Sequence, residues 1–383
     1  MTVRAAVLLE LGRPAPYADS RPIEVQDLTL DPPGPGEMLI QVGATGLCHS
    51  DLSVVNGSRP RPLPMVLGHE AAGEVVELGP GVDEFVVGDH VVMSFVPACG
   101  SCRKCVAGRQ ALCEPGAAAN RAGTLLTGGR RWLAADGSRP SHHLGVSGFA
   151  EYAVVSTTSA TRVDTDLPYE IAALFGCAVL TGAGAAFYSA AVVPGDRVAV
   201  FGLGGVGLAA LLAVKAAGAS TIVAVDVVAH KRELARKLGA THDVAGGPDA
   251  VAAVRDLTGG GADKVIDTTG SEHVLAQSYA ATGAGGTTVT VGLPHPDRQL
   301  VLPALSLVAE ERTLKGSYLG SCVPRRDIPR FISLYRSGQL PVRELLSGTL
   351  TLDELNTGFD RLAGGDAIRQ VVTFQPSPIS SSP

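Results

Sequence analysis

The spacing of hydrophobic positions changes character along the chain. The first third has short apolar runs between turns rich in glycine and proline, a pattern typical of short β-strands; these runs are residues 37–42, 73–78 and 90–95. The middle third alternates apolar runs with segments of helical periodicity. The strand candidates there are residues 197–201, 221–226, 264–267 and 287–291, and the helix candidates are 206–217, 230–238 and 272–279. Strands that alternate with helices predict a parallel sheet covered by helices on both faces.

The two ends of the chain have a mixed pattern. The N-terminus enters a strand-like run at residues 5–9, which is too short for a signal peptide. Residues 117–147 lack clear periodicity and predict a long surface excursion, which holds the only tryptophan, Trp132. In the last part of the chain we expect helices near residues 327–337 and 352–363, a strand at 370–374, and a frayed tail rich in serine and proline beyond it.

Length and charge narrow the class of protein. At 383 residues the chain exceeds the usual limit of one hydrophobic core, so we expect two domains. The net charge is −6 and no dense block of lysine and arginine occurs, which argues against nucleic acid and anionic membranes as partners. The apolar stretch 198–214 contains four glycines, so a turn between a strand and a helix explains it better than a membrane span. Without an export signal, the cytoplasm is the expected compartment.

A glycine-rich turn lies between the first strand and the first helix of the middle third. Its sequence is Gly202-Leu203-Gly204-Gly205-Val206-Gly207. In a dinucleotide-binding turn the first glycine permits the tight turn, the second lets the backbone approach a pyrophosphate, and the third allows the helix to pack closely on the strand. The phosphates then bind to free N–H groups at the positive end of the helix. A purely structural glycine turn is the alternative.

Asp226 ends the next strand, twenty-four positions after Gly202, where a carboxylate can accept hydrogen bonds from an adenosine ribose. A carboxylate about 4 Å from a 2′-phosphate would repel it by roughly 4 kcal/mol at an effective dielectric constant near 20. We therefore expect NAD to be preferred over NADP by two or more orders of magnitude in kcat/KM. Lys231 is placed to touch the adenosine side of the cofactor, with a solvated surface lysine as an equal alternative.

Seven cysteines are unevenly distributed, and four of them fall within fifteen residues: Cys99, Cys102, Cys105 and Cys113. Four thiolates in one short loop can close a tetrahedron around Zn²⁺ with no open position, which predicts a structural zinc site. Two disulfides or an iron–sulfur cluster are the alternatives. A reducing compartment disfavours the disulfides, and the lack of other redox signatures disfavours the cluster. Cys322 is left as a spare thiol.

A second set of potential ligands is dispersed along the chain: Cys48, His69 and Cys177. Three ligands of mixed nitrogen and sulfur type leave a fourth position for water or substrate, as a catalytic zinc requires. Asp51 is placed to hold the second nitrogen of His69, and Glu70 to lie behind the metal. Taken singly, each ligand could be an inert buried thiol or a packed core imidazole. Seven other histidines carry no spacing signal and no expected role: His90, His142, His143, His230, His242, His273 and His295.

Several segments together match one family. They are Gly46-Leu47-Cys48-His49-Ser50-Asp51, Gly68-His69-Glu70-Ala71-Ala72-Gly73, Gly88-Asp89-His90-Val91, the four-cysteine loop, Gly176-Cys177 with Thr181-Gly182, and the glycine turn with Asp226. With these segments the chain resembles the zinc-containing alcohol dehydrogenases of the medium-chain dehydrogenase/reductase superfamily, from about residue 4 to residue 374. The match is highly specific because the motifs are spread over nearly the whole chain.

The resemblance implies an α/β architecture of two domains. A mostly-β, GroES-like catalytic domain of residues 1–178 is expected to be completed by residues 321–383. Residues 179–320 would form a Rossmann coenzyme domain with a doubly wound parallel sheet, and the active site would lie in the cleft between the domains. The resemblance also implies a homodimer joined edge to edge through the Rossmann sheets, with residues 314–319 as the interface strand.

The resemblance further assigns roles to residues. The expected catalytic residues are His49, Ser50, Asp51 and Glu70, with Ser50 taking the proton of an alcohol whose oxygen binds zinc while hydride passes to NAD. Two zinc ions per chain are expected, one catalytic and one structural. Phe95, Leu293 and Leu319 match positions of an apolar substrate pocket. His49 and Arg369 match positions that contact cofactor phosphate. The expected cofactor-binding residues are Gly202, Gly204, Gly205, Val206, Gly207, Asp226, Lys231, Val291 and Arg369.

The chain departs from the family pattern in two places. Well-known members often have a histidine three positions beyond the serine, where this chain has Ser53, so the proton would leave through water or through His49. The branch that acts on the glutathione adduct of formaldehyde has acidic residues after the first motif. Here the corresponding residues include Arg59 and Arg61, which would receive a different acidic thiol adduct or belong to solvated surface.

The expected activity is reversible hydride transfer between NAD and a small primary or secondary alcohol, aliphatic or aryl. One alternative is a dehydrogenase or reductase of S-hydroxymethyl or S-nitroso thiols in the same family. A second is a zinc-free quinone or enoyl reductase, against which Cys48, His69 and Cys177 argue. A third is a non-catalytic sensor that binds NAD(H), which would not need three zinc ligands together with Ser50.

Overall fold

The computed structural model describes residues 1–374. The chain divides into two compact units. The first unit consists of Met1–Gly176 and the chain from Leu346 onward, and the second unit is Cys177–Leu345. The serine- and proline-rich tail that we expected to be frayed lies outside the described residues.

The second crossing between the units differs from the predicted domain boundary. We expected the chain to leave the second domain after residue 320, whereas it stays in the second unit to Leu345. The helix Pro324–Arg336 accounts for the difference, because it buries Phe331 against the rings of Phe187 and Tyr188 in the same unit. The first crossing comes after Gly176, two residues before the predicted boundary at residue 178.

Short strands dominate the first unit because glycine and proline turns interrupt its apolar runs. Before the crossing they are β1 (Thr2–Leu8), β2 (Ile23–Leu30), β3 (Glu37–Gly46), β4 (Met65–Val66), β5 (Ala71–Leu78), β6 (His90–Met93), β7 (Trp132–Leu133), β8 (Ser141–His142), β9 (Tyr152–Ser156) and β10 (Ala160–Val163). The second unit has β11 (Arg197–Phe201), β12 (Thr221–Asp226), β13 (His242–Ala245), β14 (Ala262–Asp267), β15 (Thr282–Thr290) and β16 (Thr313–Gly316). After the return come β17 (Leu346–Leu350) and β18 (Arg369–Thr373).

The longer helices belong mainly to the second unit. The α-helices are α1 (Tyr17–Ser20), α2 (His49–Val55), α3 (Arg103–Val106), α4 (Glu114–Ala122), α5 (Tyr169–Ala172), α6 (Ala178–Gly184), α7 (Gly205–Ala216), α8 (Ala229–Leu238), α9 (Ala250–Leu257), α10 (Glu272–Ala281), α11 (Ala304–Ala309), α12 (Pro324–Arg336) and α13 (Leu355–Gly364). Short 3₁₀ turns are Gln110–Leu112, Thr157–Ser159, Ala173–Gly176, Leu319–Ser321, Val342–Leu345 and Leu352–Glu354, and Ala185–Ser189 forms a π-helical turn.

The sheets of the first unit position two loops next to each other. One sheet has the order β7-β2-β1-β4-β8, and the other has the order β10-β6-β5-β3-β18-β17 with β9 also paired to β3. The antiparallel ladder between β3 and β5 ends with Thr45 opposite Ala71, and the amide of Gly46 donates to the carbonyl of Glu70 at 2.7 Å. Cys48 follows β3 by two residues and His69 precedes β5 by two. The ladder therefore holds these two side chains close together.

The second unit contains the parallel sheet that the alternation of strands and helices predicts. Its order is β13-β12-β11-β14-β15-β16, and every neighbouring pair is parallel. The chain starts at β11, moves outward through β12 and β13, and returns to β14 on the other side of β11. The strand order therefore reverses between β11 and β14, and dinucleotides bind at the carboxyl ends of strands at such a reversal. Gly202 follows β11 directly at this point.

Residues 117–147 are only in part the surface excursion that their irregular pattern predicted, because residues 135–137 are exposed whereas residues 140–147 are buried. Trp132 is fully buried. Nε of Arg131 donates to the buried carboxylate of Glu37 at 2.7 Å, and the backbone amide of Arg131 donates to Nε2 of His142 at 3.0 Å. Irregular backbone packs inside a protein when its polar groups find partners in this way. Hydrophobic periodicity has no means of revealing such a segment.

Because His142 is buried, we expect the folded protein to lose stability in acid. Burial, together with the charges of Arg131 and Arg130, lowers the pKa of His142 to about 3, whereas the unfolded chain has an ordinary histidine pKa of about 6.5. Between these values the unfolded state binds the extra proton. The free energy of unfolding therefore decreases as the pH is lowered, by about 2 kcal/mol from pH 7 to pH 5. Chemical denaturation of His142→Gln is expected to show a flatter pH dependence than the wild type over this range. Equal slopes would contradict the assignment.

No single helix among residues 1–374 is both long and apolar enough to cross a membrane. One bent pair of helices, Tyr169–Gly176 and Ala178–Ser189, reaches the required length and apolar composition together. The apolar stretch 198–214 forms part of β11, the glycine turn and part of α7, as its glycines predict.

The strand expected at residues 314–319 is shorter than predicted. β16 ends at Gly316, and Leu319 begins a 3₁₀ turn with a φ of 52°. The side chain of Leu319 is buried. β16 pairs with β15 and is the last strand of the sheet among the described residues.

Candidate metal centres and dinucleotide site

Four buried residues bring one potential ligand atom each within 4.8 Å of one another: Cys48, His69, Glu70 and Cys177. Cys177 is bonded to Gly176, the last residue of the first unit before the crossing, and the 3₁₀ turn Ala173–Gly176 carries it to the cluster. A Cβ added at Gly176 would lie 2.3 Å from the carbonyl oxygen of Met93. Only glycine therefore lets this turn approach β6 so closely.

The ring of His69 has the hydrogen-bonding arrangement of a metal-ligating histidine. Its Nδ1 lies 3.0 Å from Oδ1 of Asp51, while its Nε2 is buried and has no hydrogen-bond partner among residues 1–374. A histidine that donates from Nδ1 to a carboxylate presents the lone pair of Nε2, which is the form that ligates a metal. One imidazole and two thiolates with a fourth position left open fit a catalytic zinc. We call Cys48, His69 and Cys177 the three-ligand site.

Asp51 is held in place as a charged carboxylate. It occupies the first turn of α2, where its Oδ2 accepts from the amide of Cys48 at 3.2 Å and its Oδ1 accepts from the amide of Gly68 at 3.3 Å. Burial alone would raise the pKa of Asp51, but the charge and hydrogen bonds of His69 and His143 outweigh burial and hold it at about 2. The carboxylate therefore accepts hydrogen bonds throughout the neutral range.

Glu70 and Arg369 lie together behind the three-ligand site. Burial raises the pKa of Glu70 to about 8, although the charge of Arg369 opposes the shift. Nη2 of Arg369 lies 3.5 Å from Oε2 of Glu70, and its Nη1 donates to the carbonyl of Leu47 at 2.7 Å. Arg369, which the family resemblance assigns to the cofactor phosphate, is thus a buried residue that contacts Glu70 and Leu47 inside the first unit.

The other residues expected near the reaction centre have different surroundings. His49 and Ser50 begin α2, with His49 exposed and Ser50 half-buried. The buried ring of Phe95 packs edge-on against His69, with the ring centroids 5.6 Å apart. In the second unit Leu293 is 46% exposed, so it does not line an enclosed pocket within that unit.

Sequence reasoning missed His143. Its Nδ1 lies 3.1 Å from Oδ1 of Asp51, the same oxygen that contacts His69, and its ring packs edge-on against that of His69 at 5.4 Å. His143 belongs to the irregular segment and is seventy-four positions from His69. No spacing rule connects two residues so far apart, so no sequence signal identifies it.

The four-cysteine loop forms a second compact cluster. The ligand atoms of Cys99, Cys102, Cys105 and Cys113 all lie within 4.8 Å of one another. The Sγ atoms of Cys99 and Cys105 are 4.0 Å apart, close to the roughly 3.8 Å between sulfurs at a tetrahedral zinc with bonds of about 2.3 Å. A disulfide would need about 2.05 Å. No disulfide joins any two of the seven cysteines within residues 1–374, which argues against the disulfide alternative.

Backbone amides point at the sulfurs of this loop. The amide of Cys102 donates to Sγ of Cys99 at 3.3 Å, and the amides of Cys99 and Gly116 donate to Sγ of Cys113 at 3.2 and 3.4 Å. The amide of Cys102, aided by that of Ser101, lowers the pKa of Cys99 to about 6. These hydrogen bonds favour the thiolate, which is the form that binds a metal.

Removing one of these sulfurs is expected to lower the thermal stability and the zinc content of the protein, although no sulfur of this loop takes part in the reaction. Cys99→Ala should lower the zinc content by one ion per chain and the thermal midpoint by several degrees, because a structural zinc contributes directly to folding. Metal analysis and calorimetry test this. Val106→Ala, in the same loop and with a side chain that is 75% exposed, is the matched control and should keep both values. A Cys99→Ala protein with the metal content of the wild type would contradict the site.

The glycine turn has the geometry that a pyrophosphate requires. Gly202 has a φ of 86°, a left-handed conformation that favours glycine. A Cβ added at Gly207 would lie 1.8 Å from the carbonyl oxygen of Gly202. α7 begins at Gly205 with Gly204 as its N-cap, and no side chain caps its amides. These N–H groups are therefore available for the phosphates of a ligand.

Asp226 connects this turn to the next strand. Its Oδ2 accepts from the amide of Leu203 at 2.7 Å, and its Oδ1 accepts from the amide of Val228 at 2.8 Å. Each oxygen has a second lone pair, so the carboxylate keeps capacity for ribose hydroxyls. Lys231 is a buried residue of α8 and not a solvated one. Val291 directly follows β15, and its amide donates to the carbonyl of Asp267 at 2.9 Å.

Two segments of the chain match known protein families. The family described as Alcohol dehydrogenase GroES-like domain matches residues 34–165, and the family described as Zinc-binding dehydrogenase matches residues 205–337. An NDMA-dependent alcohol dehydrogenase of Amycolatopsis methanolica is 40% identical over 97% of this chain and 99% of its own. An S-(hydroxymethyl)glutathione dehydrogenase of Paracoccus denitrificans is 34% identical over 98% of this chain and 100% of its own. The crystal structure of a benzyl alcohol dehydrogenase from Acinetobacter calcoaceticus has a TM-score of 0.91 and 34% identity, covering 98% of this chain and 100% of that one.

Proposed function

This chain belongs to the zinc-binding alcohol dehydrogenases of the medium-chain dehydrogenase/reductase superfamily, and we propose that it transfers hydride between NAD and small primary or secondary alcohols or their carbonyl products. The family confirms the predicted resemblance and the α/β fold class with its GroES-like domain. The observation that carries the proposed chemistry is the three-ligand site, in which the buried Nε2 of His69 has no hydrogen-bond partner in the described part of the chain. A zinc-free reductase on this scaffold would not need these ligands.

The residues around the three-ligand site suit alcohol oxidation. Zinc bound there would supply a Lewis acid that polarises the substrate oxygen and lowers the pKa of an alcohol. Asp51 fixes the tautomer of His69 and orients its ring. Phe95 covers one side of His69 with an apolar ring, which excludes water and favours an apolar substrate. The hydroxyl of Ser50, two residues after Cys48, would take the proton that leaves the alcohol while giving its own proton to the ribose of the bound cofactor, from which water or His49 would carry it to solvent.

Ser50→Ala tests the proposed proton acceptor. General base catalysis contributes about a hundredfold or more, so kcat for alcohol oxidation at neutral pH should fall by about that factor, and its pH profile should change shape. Ser53→Ala is the matched control, because Ser53 lies one turn further along α2 and its hydroxyl donates to the carbonyl of His49. Full kcat with an unchanged pH profile in Ser50→Ala would rule out the relay.

We also propose NAD as the hydride acceptor, supported by the uncapped amides of α7 and by the carboxylate of Asp226 at the end of β12. One relative is named for its dependence on NDMA, so the acceptor needs its own test. A panel of alcohols is tested with NAD, NADP or NDMA as the only added acceptor. We expect the reactions with NAD to produce NADH without any NDMA. Turnover that requires NDMA and gives no NADH would contradict NAD as a dissociable acceptor, and silence across the panel would favour the non-catalytic sensor.

A thiol adduct is the second candidate substrate. Nη1 of Arg61 donates to the backbone carbonyl of Asn120 at 3.4 Å, and the side-chain amide of Asn120 donates to the carbonyl of Phe95 at 3.0 Å. These contacts bring a positive charge towards the apolar ring beside His69, where an acidic adduct would be attracted. One relative is an S-(hydroxymethyl)glutathione dehydrogenase. Formaldehyde supplied with and without low-molecular-weight thiols separates the two candidates, because a simple alcohol dehydrogenase does not need the thiol.

The apolar edge of the second unit supports the expected homodimer. β16 pairs with β15 and, among the described residues, with no strand on its other edge. Nearby in sequence, Val301, Leu305 and Val308 are about four-fifths exposed, at 82%, 77% and 79%. An open strand edge and exposed apolar side chains are each typical of an interface between subunits. Sedimentation equilibrium should give twice the mass of the chain, and a monomer at micromolar concentration would contradict this.

A further inference from the structure

Two imidazoles contact one oxygen of Asp51. Its Oδ1 lies 3.0 Å from Nδ1 of His69 and 3.1 Å from Nδ1 of His143. None of the three side chains is more than 1% exposed. The rings of His69 and His143 stand edge to face, with an interplanar angle of 88°. Asp51 and His69 have roles in the proposed chemistry, whereas His143 has none.

His143 is anchored to the strand that leads to His69. The amide of His143 donates to Oγ of Ser147 at 2.9 Å, and the hydroxyl of Ser147 donates to the carbonyl of Val66 at 2.9 Å. Val66 ends β4, three residues before His69. His143 therefore reaches Asp51 from a backbone position that two successive hydrogen bonds link to β4.

Buried contacts of this kind determine where a metal ligand points. A carboxylate that orients a ligating histidine has itself to be held, and loss of such an outer contact typically lowers metal affinity by 10- to 100-fold. We propose that His143 is a positioning residue for the catalytic zinc. It fixes the carboxylate of Asp51, and it supports the ring of His69 edge-on, so that Nε2 of His69 stays directed at the metal. This role rests on the proposed function, because it presupposes zinc at the three-ligand site.

The test measures zinc release and not activity. The purified zinc-loaded protein is mixed with a chelator, and free zinc is followed over time. The open three-ligand site should release its ion faster than the closed four-cysteine loop, so the loop provides an internal reference. His143→Phe and His143→Leu, which both remove Nδ1, are expected to accelerate the fast phase by 10- to 100-fold. His143→Asn, whose amide nitrogen can replace Nδ1, is expected to stay within about threefold of the wild type.

His142→Gln is the matched control, because His142 is an equally buried neighbour whose ring contacts Trp132 and not the three-ligand site. It should release zinc at the rate of the wild type. Unchanged release in both His143→Phe and His143→Leu would overturn the inference, and so would equal acceleration in His142→Gln or His143→Asn. A wild-type protein with zinc only in the slow phase would instead contradict the proposed function, so the two failures can be told apart.

Discussion

Cys48→Ala is expected to lower kcat/KM for alcohol oxidation by about a thousandfold or more and to remove one zinc ion per chain. Without this thiolate the site keeps only His69 and Cys177 of its three proposed ligands, and two ligands hold zinc poorly. A Lewis acid that polarises the substrate oxygen contributes several kcal/mol, and about 4 kcal/mol corresponds to a factor of about a thousand in rate. Steady-state kinetics together with metal analysis of the purified protein provide the measurement.

Cys322→Ala is the matched control for this variant. Cys322 is as buried as Cys48, but its Sγ donates to the carbonyl of Leu180 inside the second unit. Its removal should leave the zinc content unchanged and kcat/KM within about threefold of the wild type, since it takes away a packed thiol without a ligand role. Equal losses in both variants would mean that any buried thiol matters for folding, and the proposed ligand role of Cys48 would fail.

The second large effect concerns the choice of cofactor. The wild type should use NAD at least a hundredfold more efficiently than NADP, because the charge of Asp226 repels a 2′-phosphate by roughly 4 kcal/mol at about 4 Å. Asp226→Asn removes the charge and keeps an acceptor for one of the two amides that Asp226 now binds, those of Leu203 and Val228. The preference should therefore shrink by at least tenfold while the turn survives.

The measurement is kcat/KM for each cofactor with one saturating alcohol. Asp256→Asn, on the exposed surface of α9, removes the same charge elsewhere in the second unit and should keep the preference of the wild type. Equal efficiency of NAD and NADP in the wild type would contradict the role of Asp226. An unchanged preference in Asp226→Asn would assign the discrimination to other residues.

Local chemistry explains why much of this molecule was predictable from its sequence. The four-cysteine loop is compact along the chain, so its spacing alone predicts a cluster, and the structure brings the four sulfurs together. The glycine turn is recognisable for the same reason, because the positive φ at Gly202 is a local requirement that the residue type itself reveals. Cys48 and His69 are further apart in sequence, but each lies two residues from a paired strand end, and strand pairing follows from the apolar pattern.

Other features depend on contacts that leave no local pattern. Trp132 and His142 are buried within an irregular segment, in which the amide of Arg131 donates to His142, and the same segment brings His143 to Asp51. The later crossing of the chain at Leu345 depends on ring contacts of α12 within the second unit. The pairing of Arg369 with Glu70 joins residues almost three hundred positions apart. Periodicity and motif spacing describe short stretches, so such pairs become visible only in the folded chain.

The central claim is a zinc ion bound by Cys48, His69 and Cys177, and anomalous scattering at the zinc absorption edge tests it most directly. Crystals of fully metallated protein should show a peak about 2.3 Å from the Sγ atoms of Cys48 and Cys177 and about 2.0 Å from Nε2 of His69, with a second peak inside the four-cysteine loop. A map with one peak per chain, confined to the four-cysteine loop, would contradict the claim.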